Sequence, residues 1–177
     1  MLNIIFRVDS SDVIGTGHVM RCLNLAEYYK NNNIEFICKD LPFNLIENIS
    51  KKFKVNKLEL KDYSKVTLNI NTWLGESWET DCKKTIDIIK DKEIDWIIID
   101  HYNIDYKWEN MIKPYVKNIM VIDDYTNRKH DCNILLNQQI DVDLGKKLYK
   151  NIVNNDCKLL LGNKYIIFNK KFFDILK

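Results

Sequence analysis

The chain has 177 residues, 46% of them hydrophobic, and its 27 Lys and Arg against 25 Asp and Glu leave a net charge of +2. That length predicts one domain with apolar residues enough for a core, and the balanced charge gives no electrostatic case for nucleic acid as a partner. No apolar run approaches the ~18 residues of a membrane helix, and the N-terminus lacks the basic-then-apolar layout of a secretory signal. Five cysteines, an odd count, fit reduced thiols in a cytoplasmic protein better than a disulfide framework.

Ile4-Ile5-Phe6 reads as a first buried strand. The stretch from Arg7 to His18 then collects turn formers, Asp9, Ser10, Ser11 and Asp12, and two glycines, Gly15 and Gly17, on either side of Thr16. From His18 onward Val19, Cys22, Leu23 and Ala26 recur at helical spacing. The expected unit is strand, glycine loop, helix, with a histidine where the helix begins. Ile34 to Cys38 predicts a second strand, Pro42 opens a helical stretch to about Phe53, and Leu58-Glu59-Leu60 is a third strand candidate. The stretch from Asp62 to Gly75 is ambiguous, because Thr67 to Asn71 alternates like an edge strand yet also suits a loop.

Glu79 to Lys92 predicts a helix with Cys82, Ile86 and Ile89 on one face. Trp96 to Ile99 and Ile119 to Ile122 are unbroken apolar runs, the pattern of strands covered on both sides. A helix is expected between them, from about Asp105 to Pro114, with Trp108 in the core. Ile134 to Leu136 is a further strand, Asp143 to Val153 a helix, Lys158 to Leu161 a last strand and Asn169 to Leu176 a closing helix. This alternation predicts an α/β domain, Rossmann-like, with a mainly parallel sheet between two helix layers. Ligands in such sheets gather beyond the carboxyl ends of the strands. There the sequence places Asp9, then Asp100-His101-Tyr102, then Asp123-Asp124.

The glycine loop has two readings on local chemistry. It is a tight strand-to-helix turn, or it is a cradle for an anion. The first N–H groups of a helix have no internal partner, and the helix dipole is positive there. A diphosphate suits that end. Gly15 and Gly17 carry no Cβ to hold a ligand away. The same positive end disfavours an imidazolium, and a neutral His18 can take a proton from water as a general base. The full dinucleotide fingerprint G-x-G-x-x-G is not met.

Arg7, Asp9, Gly15, Gly17, His18, Arg21, Leu25 and Ala26 form the pattern R-x-D-x-x-x-x-x-G-x-G-H-x-x-R-x-x-x-L-A. This resembles the start of the PseG-type UDP-sugar hydrolases of pseudaminic acid biosynthesis, enzymes of the GT-B fold. Asp100, Tyr102, Asp105, Trp108 and Glu109 resemble a second motif of that family, D-x-Y-x-x-D-x-x-W-E. Asp123 to Cys132 resembles a third, D-D-x-x-x-R-x-H-D-C, and Asn137-Gln138 and Leu160-Leu161-Gly162 match later positions. The chain departs after the last of these, where Phe168-Asn169-Lys170-Lys171-Phe172 replaces the family's Leu-Arg-Pro-Glu-Phe.

The resemblance covers the whole chain but only the amino-terminal half of a GT-B enzyme. It implies a single domain over 1–177 that lacks the carboxyl-terminal, uridine-gripping domain. The chain is then a fragment or excised domain, works with a separate nucleotide-binding subunit, or is a degenerate domain standing alone. The resemblance implies a UDP-sugar as the ligand, His18 as the base that activates water, no cofactor and no metal. It places Asp9, Gly15, Thr16, Gly17, Arg21, Asp100, Tyr102, Asp123, Asn137 and Gln138 around the substrate. Each has a plainer alternative. Asp100 holds a sugar hydroxyl, orients His18 or caps a turn, and Tyr102 packs under a loop instead of facing the sugar. A buried Asp123 bonded to loop amides is favoured over a metal ligand, and Asn137 and Gln138 equally suit a strand cap. His101 reads as an ordinary loop histidine. An acceptor-binding subunit of a split glycosyltransferase, or a non-catalytic domain, stands as the alternative function.

Overall fold

The computed structural model describes residues 1–175, with side-chain burial as far as 172. Seven strands form one all-parallel sheet in the order β3-β2-β1-β4-β5-β6-β7. They are β1 (Asn3–Val8), β2 (Asn33–Lys39), β3 (Lys54–Leu58), β4 (Ile94–Asp100), β5 (Val116–Ile122), β6 (Ile134–Asn137) and β7 (Lys158–Leu161). The helices are α1 (Gly17–Tyr28), α2 (Ile46–Ser50), α3 (Trp78–Ile89), α4 (Tyr106–Ile112), α5 (Val142–Tyr149) and α6 (Lys170–Ile175).

Strand alternation sorts the apolar side chains into two layers. Ile4, Phe6 and Val8 of β1, with Phe36 and Ile98, meet Val19, Cys22 and Ala26 of α1 and Ile46 and Ile49 of α2. Ile5, Ile37, Ile97 and Ile99 face the other way, toward Cys82 and Ile89 of α3, Trp108 and Ile112 of α4 and Tyr149 of α5. The expected three-layer α/β architecture is therefore present. No described helix is long and apolar enough to cross a membrane.

Caps fix several helix starts. The Ser77 hydroxyl accepts from Thr80 N–H, the Asp105 carboxylate from Lys107 N–H, and the Asp141 carboxylate from the N–H groups of Asp143 and Leu144. Some boundaries differ from the sequence expectation. The third strand is Lys54–Leu58 rather than 58–60. It is an edge strand paired on one side to β2, so its polar residues need no second apolar face. The helix expected from Pro42 to Phe53 shrinks to Ile46–Ser50, preceded by a turn with Phe43 at φ 56°. Thr67 to Asn71 forms no strand. The Asn69 carboxamide accepts from Asn71 N–H and the Thr72 hydroxyl from Thr67 N–H, which folds the segment onto itself. The helices after β3 and β6 end earlier than expected, at Ile89 and Tyr149. The closing helix is present from Lys170, and its expected end at Leu176 lies outside the described residues.

The connections from β1 run to one side of the sheet, to β2 and β3, and then return to β4 on the other side of β1. The point between β1 and β4 is a topological switch, where open α/β sheets bind ligands.

Candidate active site

Two residues from neighbouring strand ends meet at that switch. His18 lies in the first turn of α1, just after β1, and Asp100 is the last residue of β4, opposite Val8. Imidazole Nδ1 and Asp100 Oδ1 are 2.6 Å apart. Asp100 is wholly buried, so its carboxylate needs several partners. Arg21, one turn beyond His18, donates from Nε to Oδ2 and from Nη2 to Oδ1, both at 2.8 Å. The Cys22 thiol adds a weak bond to Oδ2 at 3.7 Å. Burial alone pushes the Asp100 carboxyl up, but Arg21 and His18 outweigh it and hold it below the usual carboxylate range.

With Asp100 ionised, His18 Nδ1 is the donor of the pair, and in the neutral ring Nε2 is the acceptor. Nε2 has no hydrogen-bond partner among the described residues. This is the tautomer a general base requires. The structure thus gives the imidazole both an anion behind it and a helix end beneath it.

Arg21 also grips Asp124 from Nη1, at 3.0 and 2.8 Å to its two oxygens. Asp124 in turn accepts from the Tyr102 hydroxyl. The Tyr102 ring meets His18 edge to face at 4.4 Å between centroids. Trp73 stacks on Tyr102 at 5.7 Å and meets His18 at 5.9 Å, while Tyr125 closes on Tyr102 at 4.8 Å. His18, Arg21, Asp100 and Tyr102 are therefore brought together. Arg21 spends its guanidinium on two carboxylates of the protein, and Asp100 spends its carboxylate on His18 and Arg21.

The glycine loop presents a different chemistry. Gly15 has φ 81°, a conformation that favours glycine, and its N–H donates to the Ser11 carbonyl at 2.9 Å. Thr16 is the N-cap of α1, yet its side chain caps nothing, and no acidic residue occupies the first turn. The first N–H groups of α1 are thus left without a side-chain acceptor. A Cβ built on Gly17 meets no atom within 4 Å, and Thr16 and Gly17 are exposed. The space over the helix end is open, beside His18.

The remaining expected residues lie elsewhere. Asp9 is 1% exposed and belongs to a charged cluster under the sheet tips. Its Oδ1 accepts from Arg7 Nη1 and from Lys39 N–H, both at 2.6 Å, and its Oδ2 faces His101 Nε2 at 3.3 Å. Arg7 continues to Asp81 at 2.7 Å, and Lys39 Nζ reaches Asp81 at 2.9 Å and Glu76 at 2.8 Å. Trp108 Nε1 completes the shell of Asp81 at 3.0 Å. His101 is buried within this cluster rather than lying on a surface loop, and its burial pushes the imidazole below its usual value. Asp123 is buried and bonded to Arg128, to Tyr125 N–H at 3.2 Å and to the Tyr149 hydroxyl at 3.2 Å. Asn137 is 1% exposed. It donates to the Tyr149 hydroxyl at 3.0 Å and accepts from the N–H groups of Gln139 and Ile140, each at 3.1 Å. Gln138 Oε1 accepts from Ile167 N–H at 3.1 Å. The bonds of Asn137 fit the strand-cap reading, while Gln138 ties the strand end to the segment after β7. Among the described residues no group of three or more His, Cys, Asp or Glu is placed to hold a metal ion.

Sequence reasoning placed Asp124 at a strand tip without a role of its own, and it did not single out Trp73 or Asp81. Asp124 adjoins Asp123, and the pair was visible, but which acid turns to the cleft depends on strand phase. Trp73 stood in the segment whose structure was ambiguous, and nothing in the sequence linked Asp81 to Arg7.

No family model matches the chain. Against curated proteins, it is similar to the UDP-2,4-diacetamido-2,4,6-trideoxy-beta-L-altropyranose hydrolase of Campylobacter jejuni, with 27% identity over 176 residues. The match takes in 99% of this chain and 55% of the relative, so the chain spans about half the length of the protein it matches.

Proposed function

We propose that the chain is the sugar-side domain of a UDP-sugar hydrolase in which His18 is the general base. The observation that carries this is the pairing of His18 Nδ1 with Asp100, which leaves Nε2 unpartnered beside an uncapped helix end. A water molecule held at Nε2 gives its proton to the ring. Its oxygen attacks the anomeric carbon, and the bond from that carbon to the diphosphate oxygen breaks, with inversion. UDP leaves as an anion, and the open N–H groups at Thr16 to His18 receive part of its charge. Arg21 and Asp100 orient the base. Tyr102, Tyr125 and Trp73 wall the side of the ring, where apolar faces suit the C–H surface of a deoxysugar.

The relative's name supports a UDP-linked diacetamido trideoxyhexose as substrate. The 1–177 chain is read as one domain equivalent to the amino-terminal half of a GT-B enzyme. We assign uridine recognition to a second domain, on the same polypeptide or on a separate subunit, and place the reaction in the cytoplasm.

The test is release of UDP from that sugar nucleotide by the chain, alone and joined to the second half of the Campylobacter relative. His18→Asn is expected to lower turnover by about 10²–10⁴. Near-normal turnover in that variant overturns the assignment. Transfer to an added sugar alcohol in preference to water would make this an acceptor domain of a glycosyltransferase instead.

A further inference from the structure

Cys132 and Cys157 stand at the entries of two adjacent parallel strands, just before β6 and β7. Those strands pair Ile134 with Lys158, and Lys158 N–H donates to the Asn133 carbonyl at 2.9 Å. The pairing brings the two sulfur atoms to 3.7 Å, hydrogen-bonded and unjoined. Closing to the ~2 Å of a disulfide asks only a small side-chain movement across neighbouring strands. The two thiols differ in access. Cys132 is 2% exposed, whereas Cys157 is half-buried. Cys22, Cys38 and Cys82 are buried.

The surroundings favour one thiolate. The hydrogen bond with Cys132 draws the Cys157 thiol below its usual value, and the nearby His130 charge adds to this against burial. His130 carries that charge because Glu109 lies 2.6 Å from Nδ1 and Asp123 lies 3.8 Å from Nε2. The same thiol–thiol bond, with burial, pushes Cys132 up.

We propose that Cys132 and Cys157 are a dithiol pair that a small disulfide oxidant converts to an internal disulfide, with Cys157 attacking and Cys132 resolving. The Cys157 thiolate attacks one sulfur of the oxidant, RSSR, and expels RS⁻. Cys132 then loses its proton to that thiolate and attacks the Cys157 sulfur, expelling the second thiolate. Two protein thiols are oxidised, and one RSSR is reduced to two RSH, the second taking up from solvent the proton that Cys157 released on becoming a thiolate. The new bond clips β6 to β7 where the 123–131 segment, which carries Asp124 and Arg128, enters the sheet. This inference is independent of the hydrolase reading.

The probe is glutathione disulfide, followed by acid quench, alkylation under denaturing conditions and intact mass. The wild-type chain is expected to keep three alkylatable thiols of its five, to hold no glutathione, and to yield a cross-linked peptide joining positions 132 and 157. Cys132→Ser is expected to stop with one glutathione on Cys157, and Cys157→Ser to keep all its thiols. The oxidised wild type should unfold several degrees higher than the reduced form. Glutathione retained on wild-type Cys157 without the cross-link, a cross-link through another cysteine, or five unreacted thiols overturns the proposal. The wild-type peptide map decides the matter even where a serine variant fails to fold.

Discussion

Arg21 and Asp100 are 79 positions apart, yet the guanidinium fork meets both carboxylate oxygens at 2.8 Å. The fork fixes the plane of the carboxylate, and the carboxylate fixes the ring of His18. The guanidinium of Arg21 is therefore engaged by Asp100 and Asp124, and under the proposed reaction it acts through Asp100.

Asp100→Asn is expected to lower kcat for UDP release by about 10²–10⁴ with little change in KM, because an amide cannot hold the same tautomer of His18. Arg21→Lys keeps the charge and loses the fork. It should give a milder fall in kcat and a displaced pH profile, whereas a lost phosphate contact would raise KM. Steady-state kinetics across pH separate the two outcomes.

Gly15 and Gly17 should respond differently to alanine. Gly15 sits at φ 81°, so Gly15→Ala is expected to cost about 1–2 kcal/mol of stability in urea unfolding. Gly17 has no neighbour within 4 Å of a built Cβ, so Gly17→Ala should leave stability within about 0.5 kcal/mol of wild type. The added methyl stands over the helix end, and UDP-sugar binding by calorimetry should weaken in that variant alone. Unchanged binding would remove the helix end from the site.

Stability should fall on both sides of neutrality, for different residues. His130 is lowered by burial, but Asp123 and Glu109 outweigh that and push it up to about 9. Its contribution is complete below the unfolded value of about 6.5 and is lost as pH rises toward about 9, on the order of 3 kcal/mol. His101 is buried with its value lowered, so its contribution fades as pH drops below about 6.5. Asp9, Asp81 and Asp100 are held low, and theirs is lost as pH falls below about 4. Urea midpoints from pH 4 to 9.5 should lose most of their alkaline slope in His130→Gln and keep the acid one.

Asn137→Ala is expected to destabilise the fold by about 1–3 kcal/mol, since Tyr149 and two backbone N–H groups lose a buried partner. KM for the sugar nucleotide should not move. A raised KM at unchanged stability would return Asn137 to the substrate.

The architecture was legible where burial imposes a pattern. Trp96 to Ile99 and Ile119 to Ile122 read as strands because both faces are covered, and Cys82, Ile86 and Ile89 marked α3. β3 was misplaced because an edge strand has no such constraint. In the site, His18 was legible from its place after two glycines, and Asp100 from its place at a strand end. Which acid of Asp123-Asp124 turns to the cleft was not, nor was the service of Arg21 to Asp100 rather than to a ligand. Those depend on pairings across 79 and 103 positions, which local spacing does not encode.

Helix α1 carries Val19, Cys22 and Ala26 at 0% exposure on the stripe that adjoins His18 and Arg21. The helix that carries the imidazole is thus seated by buried contacts against β1 and β4, while Asp100 orients the ring itself. A change of volume at Val19 therefore reaches His18 and Arg21 through the seating of α1, because a close-packed interior transmits strain. Under the proposed reaction, a search for altered rates belongs at these buried positions as much as among the charged side chains of the cleft.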